Sequence, residues 1–106
     1  MTKNILTMNY KISNEASYDL EKIWLYTFEN WSREQAHRYI DLIIDEIEYL
    51  CLNPKSGNDV NHIRKGYFRS KVKSHLIFYK INIKENQLEI IRILHQMMDI
   101  ENHLSK

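Results

Sequence analysis

Glycine, proline and cysteine are scarce in this chain: 106 residues include two Gly, one Pro and one Cys. That scarcity, beside 43% apolar and 27% charged residues, excludes collagen-like or disordered composition and leaves a chain able to bury a core. At this length a single domain spanning residues 1–106 is expected. There is no run of eighteen apolar residues, which excludes a transmembrane helix. The segment Met1 to Met8 lacks the layout of a secretory signal, so a cytoplasmic location is expected. Gly57 and Gly66 are the only glycines, too few for a Gly-rich turn that cradles nucleotide phosphates. A lone Cys51 cannot form an internal disulfide, and its place on an apolar helical stripe marks it as a core residue. The five histidines (His37, His62, His75, His95 and His103) match no zinc-site spacing, so neither a metal nor any other cofactor is expected.

Acidic residues are also missing from one long stretch. Val60 to Lys84 contains seven bases (Arg64, Lys65, Arg69, Lys71, Lys73, Lys80, Lys84) and no acid. Ser13 to Leu50 is the reverse, with nine acids against Lys22, Arg33 and Arg38. The basic half sets up a field for a negative partner, either nucleic acid or acidic protein. A row of lysines that protects a strand edge is the plainer reading.

What is present reads as a strand, two helices and three strands. Met8, Tyr10 and Ile12 alternate with polar residues, which predicts a first strand. Ser13 then offers a helix N-cap, and Glu15 sits where the helix dipole favours an acid. Ala16, Leu20, Ile23, Trp24, Thr27, Phe28 and Trp31 form one apolar stripe, with Asp19, Glu21, Lys22 and Glu29 expected to face away. Ser32 and Gln35 form a capping box that opens a second helix. Its stripe runs from Ala36 through Ile43 and Ile47 to Cys51, and Asn53-Pro54 ends it. With almost no linker at Trp31-Ser32, the helices must fold back as an antiparallel hairpin. Lys55 to Asn61 has loop composition; Phe68 to Val72, His75 to Ile81 and Gln87 to Leu94 read as a three-stranded meander. The expected class is therefore α+β, a helix hairpin on one face of an antiparallel sheet in the order β-α-α-β-β-β, followed by a short C-terminal tail. The last two strands are apolar on both faces, so a second cover is needed, either the tail Met97 to Leu104 or a partner chain.

No acid–base dyad or nucleophilic triad is indicated: Asp41, Asp45 and Glu48 lie opposite the Ile stripe, and Cys51 lies on it. Metal-free RNA cleavage is compatible with the composition, because Tyr67, Arg69, Lys71, Lys73, His75, Tyr79, Arg92 and His95 would supply acid, base and cationic groups.

The segments Tyr10 to Ser13, Asp19-Leu20, Ile23-Trp24, Asn53-Pro54, Gly66 to Ser70, Ser74 to Tyr79 and Ile91 to His95, closing with Met98-Asp99, resemble the RelE/ParE toxin superfamily, and in particular its ParE branch. The resemblance covers nearly the whole chain from Tyr10. It implies a type II toxin without a catalytic residue, neutralised by direct binding of a cognate antitoxin and acting on DNA gyrase. RelE-type relatives instead cut mRNA on the ribosome, a different chemistry on one fold. Ribonuclease members carry an arginine where this chain has Leu76, and bases where it has Gln96, Met97 and Met98. ParE-type chains commonly carry an arginine at the place of Met97. The resemblance marks Tyr67, Arg69, His75, Arg92 and His95 as a candidate target-binding surface, to which the basic stretch adds Lys71 and Lys73. An acidic antitoxin tail is expected to contact Arg64, Lys65, Ile77, Tyr79 and Ile91. For Arg69 and Arg92 an ion pair with a helix acid such as Asp19 is an equal alternative.

Overall fold

The computed structural model describes residues 7–104, so the leader reading of Met1 to Met8 falls largely outside them. The elements are β1 (Asn9–Ile12), α1 (Asn14–Asn30), α2 (Arg33–Leu52), β2 (Asn58–Asp59), β3 (Tyr67–Val72), β4 (His75–Asn82), β5 (Gln87–His95) and α3 (Ile100–Leu104). The expected α+β arrangement is present, with three amendments. The sheet order is β1-β5-β4-β3-β2, and β1 pairs with β5 in parallel, so the sheet is mixed. The stretch read as loop supplies a two-residue strand, Asn58 and Asp59, opposite Arg69 and Phe68. The tail forms a short helix, α3.

Both long helices begin where their caps predict. The Ser13 and Ser32 hydroxyls accept from the N–H groups of Ala16 and Gln35 at 3.0 and 3.1 Å, each satisfying a donor the helix cannot. Asn53 ends α2, its N–H bonded to the Tyr49 and Leu50 carbonyls. The Met8 N–H donates to the Cys51 carbonyl, tying the entry of β1 to the end of α2.

One core lies between the hairpin and the sheet. Ile43, Ile47 and Leu50 of α2 are fully buried against Ile77, Tyr79, Leu88, Ile90 and Ile93. Each such side chain contributes about 1.5–3 kcal/mol relative to exposure. Cys51 belongs to this core as expected, and burial, helped by Glu48, pushes its thiol up. The opposite sheet face has its own cluster of Val60, Leu76, Phe78, Leu94 and Leu104, with Ile63, Tyr67 and Ile100 packed on it. The second cover is thus the β2–β3 connection together with the tail, supplied by this chain. Alternation along β4 assigns the two sets: Ile77 and Tyr79 point under the hairpin, Leu76 and Phe78 toward the tail.

The α1 stripe is narrower than its sequence suggests. Trp31 is 66% exposed and Phe28 is also exposed. Asp19, expected to face away, is buried at 4%, because β5 outruns β1 and leaves backbone groups that a carboxylate can bind.

Candidate functional site

Beyond Ile12 the β1 edge of β5 has no strand beside it, and α1 fills the gap. Ser13 donates through its hydroxyl to the Ile91 carbonyl at 2.7 Å. Asp19 accepts from the Ile93 N–H at 2.9 Å and from Arg92 Nε and Nη2 at 2.8 and 2.9 Å. A bidentate pair of this kind is short and oriented. It fixes Arg92 as a structural cation, and the hydrogen bonds it donates to Asp19 raise its already high pKa further. The open choice for Arg92 is thereby decided. Among the described residues this is the one ion pair, so Arg69 has no helix acid.

Next to that pair a groove of about 760 Å³ opens between the helices and the β3–β4 turn. Lys73, His75 and His95 line it with Lys22, Tyr26, Trp31, Tyr39 and Met98. Tyr39 Oη lies 2.7 Å from His75 Nδ1, and the His75 and His95 rings meet edge to face at 5.2 Å. His95 Nδ1 accepts from the Met97 N–H at 3.1 Å. Burial is the main cause that lowers His75 to about 4, the adjacent His95 adds to it and Asp19 opposes it. Lys73 holds the left-handed turn conformation at φ 56°, uncommon for a lysine. The groove is apolar-walled, with the His75 and His95 imidazoles on its floor and two lysines at its sides.

The lowered His75 fixes a pH dependence. Between about 4 and 6.5 the unfolded chain binds the proton that the folded chain does not, so stability rises with pH across that window. It is fully present above 6.5 and is lost as pH falls toward 4. Urea unfolding at pH 7 and 4.5 should show wild type losing about 2 kcal/mol more than His75→Gln. Equal losses in the two proteins would refute the assignment.

The expected target-binding residues divide between two places. Lys73, His75 and His95 lie in the groove. Tyr67, Arg69 and Lys71 alternate with Phe68, Ser70 and Val72 and belong to the sheet face opposite the hairpin. Arg92 is taken up by Asp19. Of the expected antitoxin contacts, Arg64 and Ile91 are half-buried and Lys65 is exposed. Ile77 and Tyr79 are fully buried beneath the hairpin, which corrects their assignment as contact residues. Tyr39, Tyr26, Trp31 and Lys22 were missed as groove residues: Tyr39 and Trp31 lie on helical stripes that read as packing, Lys22 on a face that reads as solvated and Tyr26 off the stripe, and only the approach of the β3–β4 turn turns them into walls.

The family model described as the ParE toxin of the type II toxin–antitoxin system parDE matches residues 10–100. The chain belongs to the ParE toxin family. It is 37% identical over 95 residues to toxin ParE1 of Caulobacter vibrioides, covering 90% of this chain and 96% of that one. It is 32% identical over 99 residues to toxin ParE1 of Mycobacterium tuberculosis, covering 93% and 100%. Two solved structures share the fold. The chromosomal ParDE system of P. aeruginosa aligns with a TM-score of 0.72 at 15% identity, covering 85% of this chain and 97% of the other. The RelBE2 toxin–antitoxin complex of Mycobacterium tuberculosis gives 0.61 at 13%, covering 89% and 97%. This ParE-family chain is accordingly a type II toxin–antitoxin toxin. No helix among its described residues is long and apolar enough to cross a membrane.

Proposed function

We propose that this ParE-family toxin arrests growth in the cytoplasm by binding DNA gyrase, without catalysing a reaction itself, and that a cognate antitoxin silences it by direct binding. The observation that carries the reading is how few cations on and just after the last two strands are free to act on a phosphate. Arg92 is bound by Asp19, Leu76 is buried in the tail-side cluster where ribonuclease relatives carry an arginine, and Met97 and Met98 follow the last strand. RNA cleavage needs cations on the charge that develops at phosphorus, and losing one such group typically costs about a hundredfold in rate. The exposed Trp31, Tyr26 and Met98 at the groove mouth suit a protein surface instead.

The antitoxin is proposed to lay an acidic, extended segment across Arg64 and Lys65 and onto Ile91. One observation favours the second reading, an mRNA endonuclease: the Tyr39–His75 pair beside Lys73 offers a base and a cation together. Purified toxin in a supercoiling assay is expected to inhibit gyrase while mRNA in arrested cells stays intact. Undisturbed gyrase at excess toxin, with transcripts cut within minutes of induction, would reverse the assignment.

A further inference from the structure

Among the described residues, no cation of the sheet face opposite the hairpin is ion-paired. Tyr67 sits in register with Lys80, and both the Arg64 guanidinium and the Lys80 ammonium lie 5.9 Å from the Tyr67 ring centroid. Arg69 and Lys71 continue along β3 on the same face, opposite Phe78 and Leu76. The chain nevertheless has acids within reach of this face. Glu89 pairs with Lys80 in register, yet its carboxylate accepts from Asn82 Nδ2 at 3.0 Å. Asp59 is occupied by Asn61. Arg64 also donates to the Leu104 carbonyl at 3.2 Å, so the tail helix fixes where its guanidinium stands. The tail thereby holds one cation in place while its apolar residues fill the middle of the face.

The Arg64 and Lys80 charges at one ring repel each other, and an external anion relieves that repulsion. We infer that Arg64 and Lys80 beside Tyr67, with Arg69 and Lys71 further along β3 on the same face, form a binding surface for the phosphate backbone of duplex DNA. Arginines paired with lysines and interleaved with an aromatic ring suit phosphodiesters: guanidinium matches phosphate geometry, and a sequence-neutral contact needs no base-reading side chain. The face lies on the other side of the sheet from the His75 groove, so one toxin can hold gyrase through the groove mouth and DNA through this surface. The inference takes its setting from the gyrase reading, since gyrase works on DNA, but the binding itself requires DNA alone.

Fluorescence anisotropy with a labelled 30-base-pair duplex of mixed sequence tests it. Four phosphate contacts predict that affinity falls roughly 150-fold between 50 and 200 mM salt. The double variant Arg69→Glu, Lys80→Glu should weaken binding more than tenfold at 50 mM. Lys71→Glu, at an exposed position free of packing, should weaken it several-fold in a protein that still folds. Arg33→Glu, on the hairpin, should leave it unchanged. No binding at 50 mM, or equal binding by the sheet variants, overturns the inference. The acidic antitoxin segment shares Arg64 and competes with the duplex there, but polyglutamate binding that falls as far as duplex binding in Arg69→Glu, Lys80→Glu also overturns the inference, because the whole face would then serve an acidic protein. Supercoiling inhibition in the same variants separates the two proposals. A toxin that inhibits gyrase but ignores DNA removes this inference alone; one that binds DNA but spares gyrase removes the gyrase reading alone.

Discussion

Replacing Asp19 by Ala should lower stability by about 3 kcal/mol, since breaking a buried ion pair strands the remaining charge. Three donors lose their acceptor in one step: Arg92 Nε, Arg92 Nη2 and the buried Ile93 N–H. Arg92 is 21% exposed, so water recovers part of the guanidinium's loss and holds the cost at the lower end of the range for such pairs. The Ile93 N–H has no such recourse. At a chain length near 100 residues, the loss corresponds to a fall in Tm of roughly 12–20 °C. Asp19→Asn keeps an oxygen for the Ile93 N–H and should cost about half as much. Arg92→Ala with Asp19→Ala should cost clearly less than the two single changes added together, because the partners share one interaction. A loss below about 1 kcal/mol for Asp19→Ala would show that the edge of β5 does not depend on this carboxylate.

The second large effect is expected at Gly57. A Cβ there would meet the Arg69 carbonyl at 2.7 Å and collide with the Tyr79 hydroxyl. Neither neighbour can move away. The carbonyl is part of β3, and the fully buried Tyr79 donates to the Pro54 carbonyl at 2.7 Å while accepting from the Gly57 N–H at 3.2 Å. Burial pushes the Tyr79 phenol up to about 12, so it stays a neutral donor at physiological pH, with the Gly57 N–H opposing that shift and Glu46 adding to it. Overpacking of this kind typically costs about 1–3 kcal/mol, and the rigid carbonyl puts Gly57→Ala at the upper end. Tyr79→Phe removes the hydroxyl but leaves the Pro54 carbonyl and the Gly57 N–H unpaired, costing about 1–3 kcal/mol by itself. Denaturant midpoints of both variants and their combination test this, with the combination costing less than the sum. A Gly57→Ala protein within 0.5 kcal/mol of wild type would mean that the α2–β2 loop shifts freely.

Most of the element plan was legible. Ser13, Ser32 and Asn53-Pro54 marked helix ends because capping is local chemistry that a few neighbouring residues decide. The three long strands were legible from their β-branched and aromatic runs, within a residue at each end. β2 was not, because two polar residues carry no period, and Asn58 and Asp59 become strand only when β3 lies alongside. The inward turn of Asp19 was hidden for a similar reason. An acid on a helix reads as solvated until β5 presents an unpaired N–H and an arginine at the same point.

By itself the sequence determined the family, the helix hairpin, the meander and the separation of acidic from basic halves, since these follow from period, caps, turns and charge along the chain. The tertiary structure alone decided which cations are free. Arg92 became a structural partner of Asp19, whereas Arg69 and Lys80 form no ion pair among the described residues and His75 was set beside Tyr39 and His95. The physical reason is that pairing and desolvation depend on what stands opposite in space, and 73 residues separate Arg92 from the carboxylate that holds it.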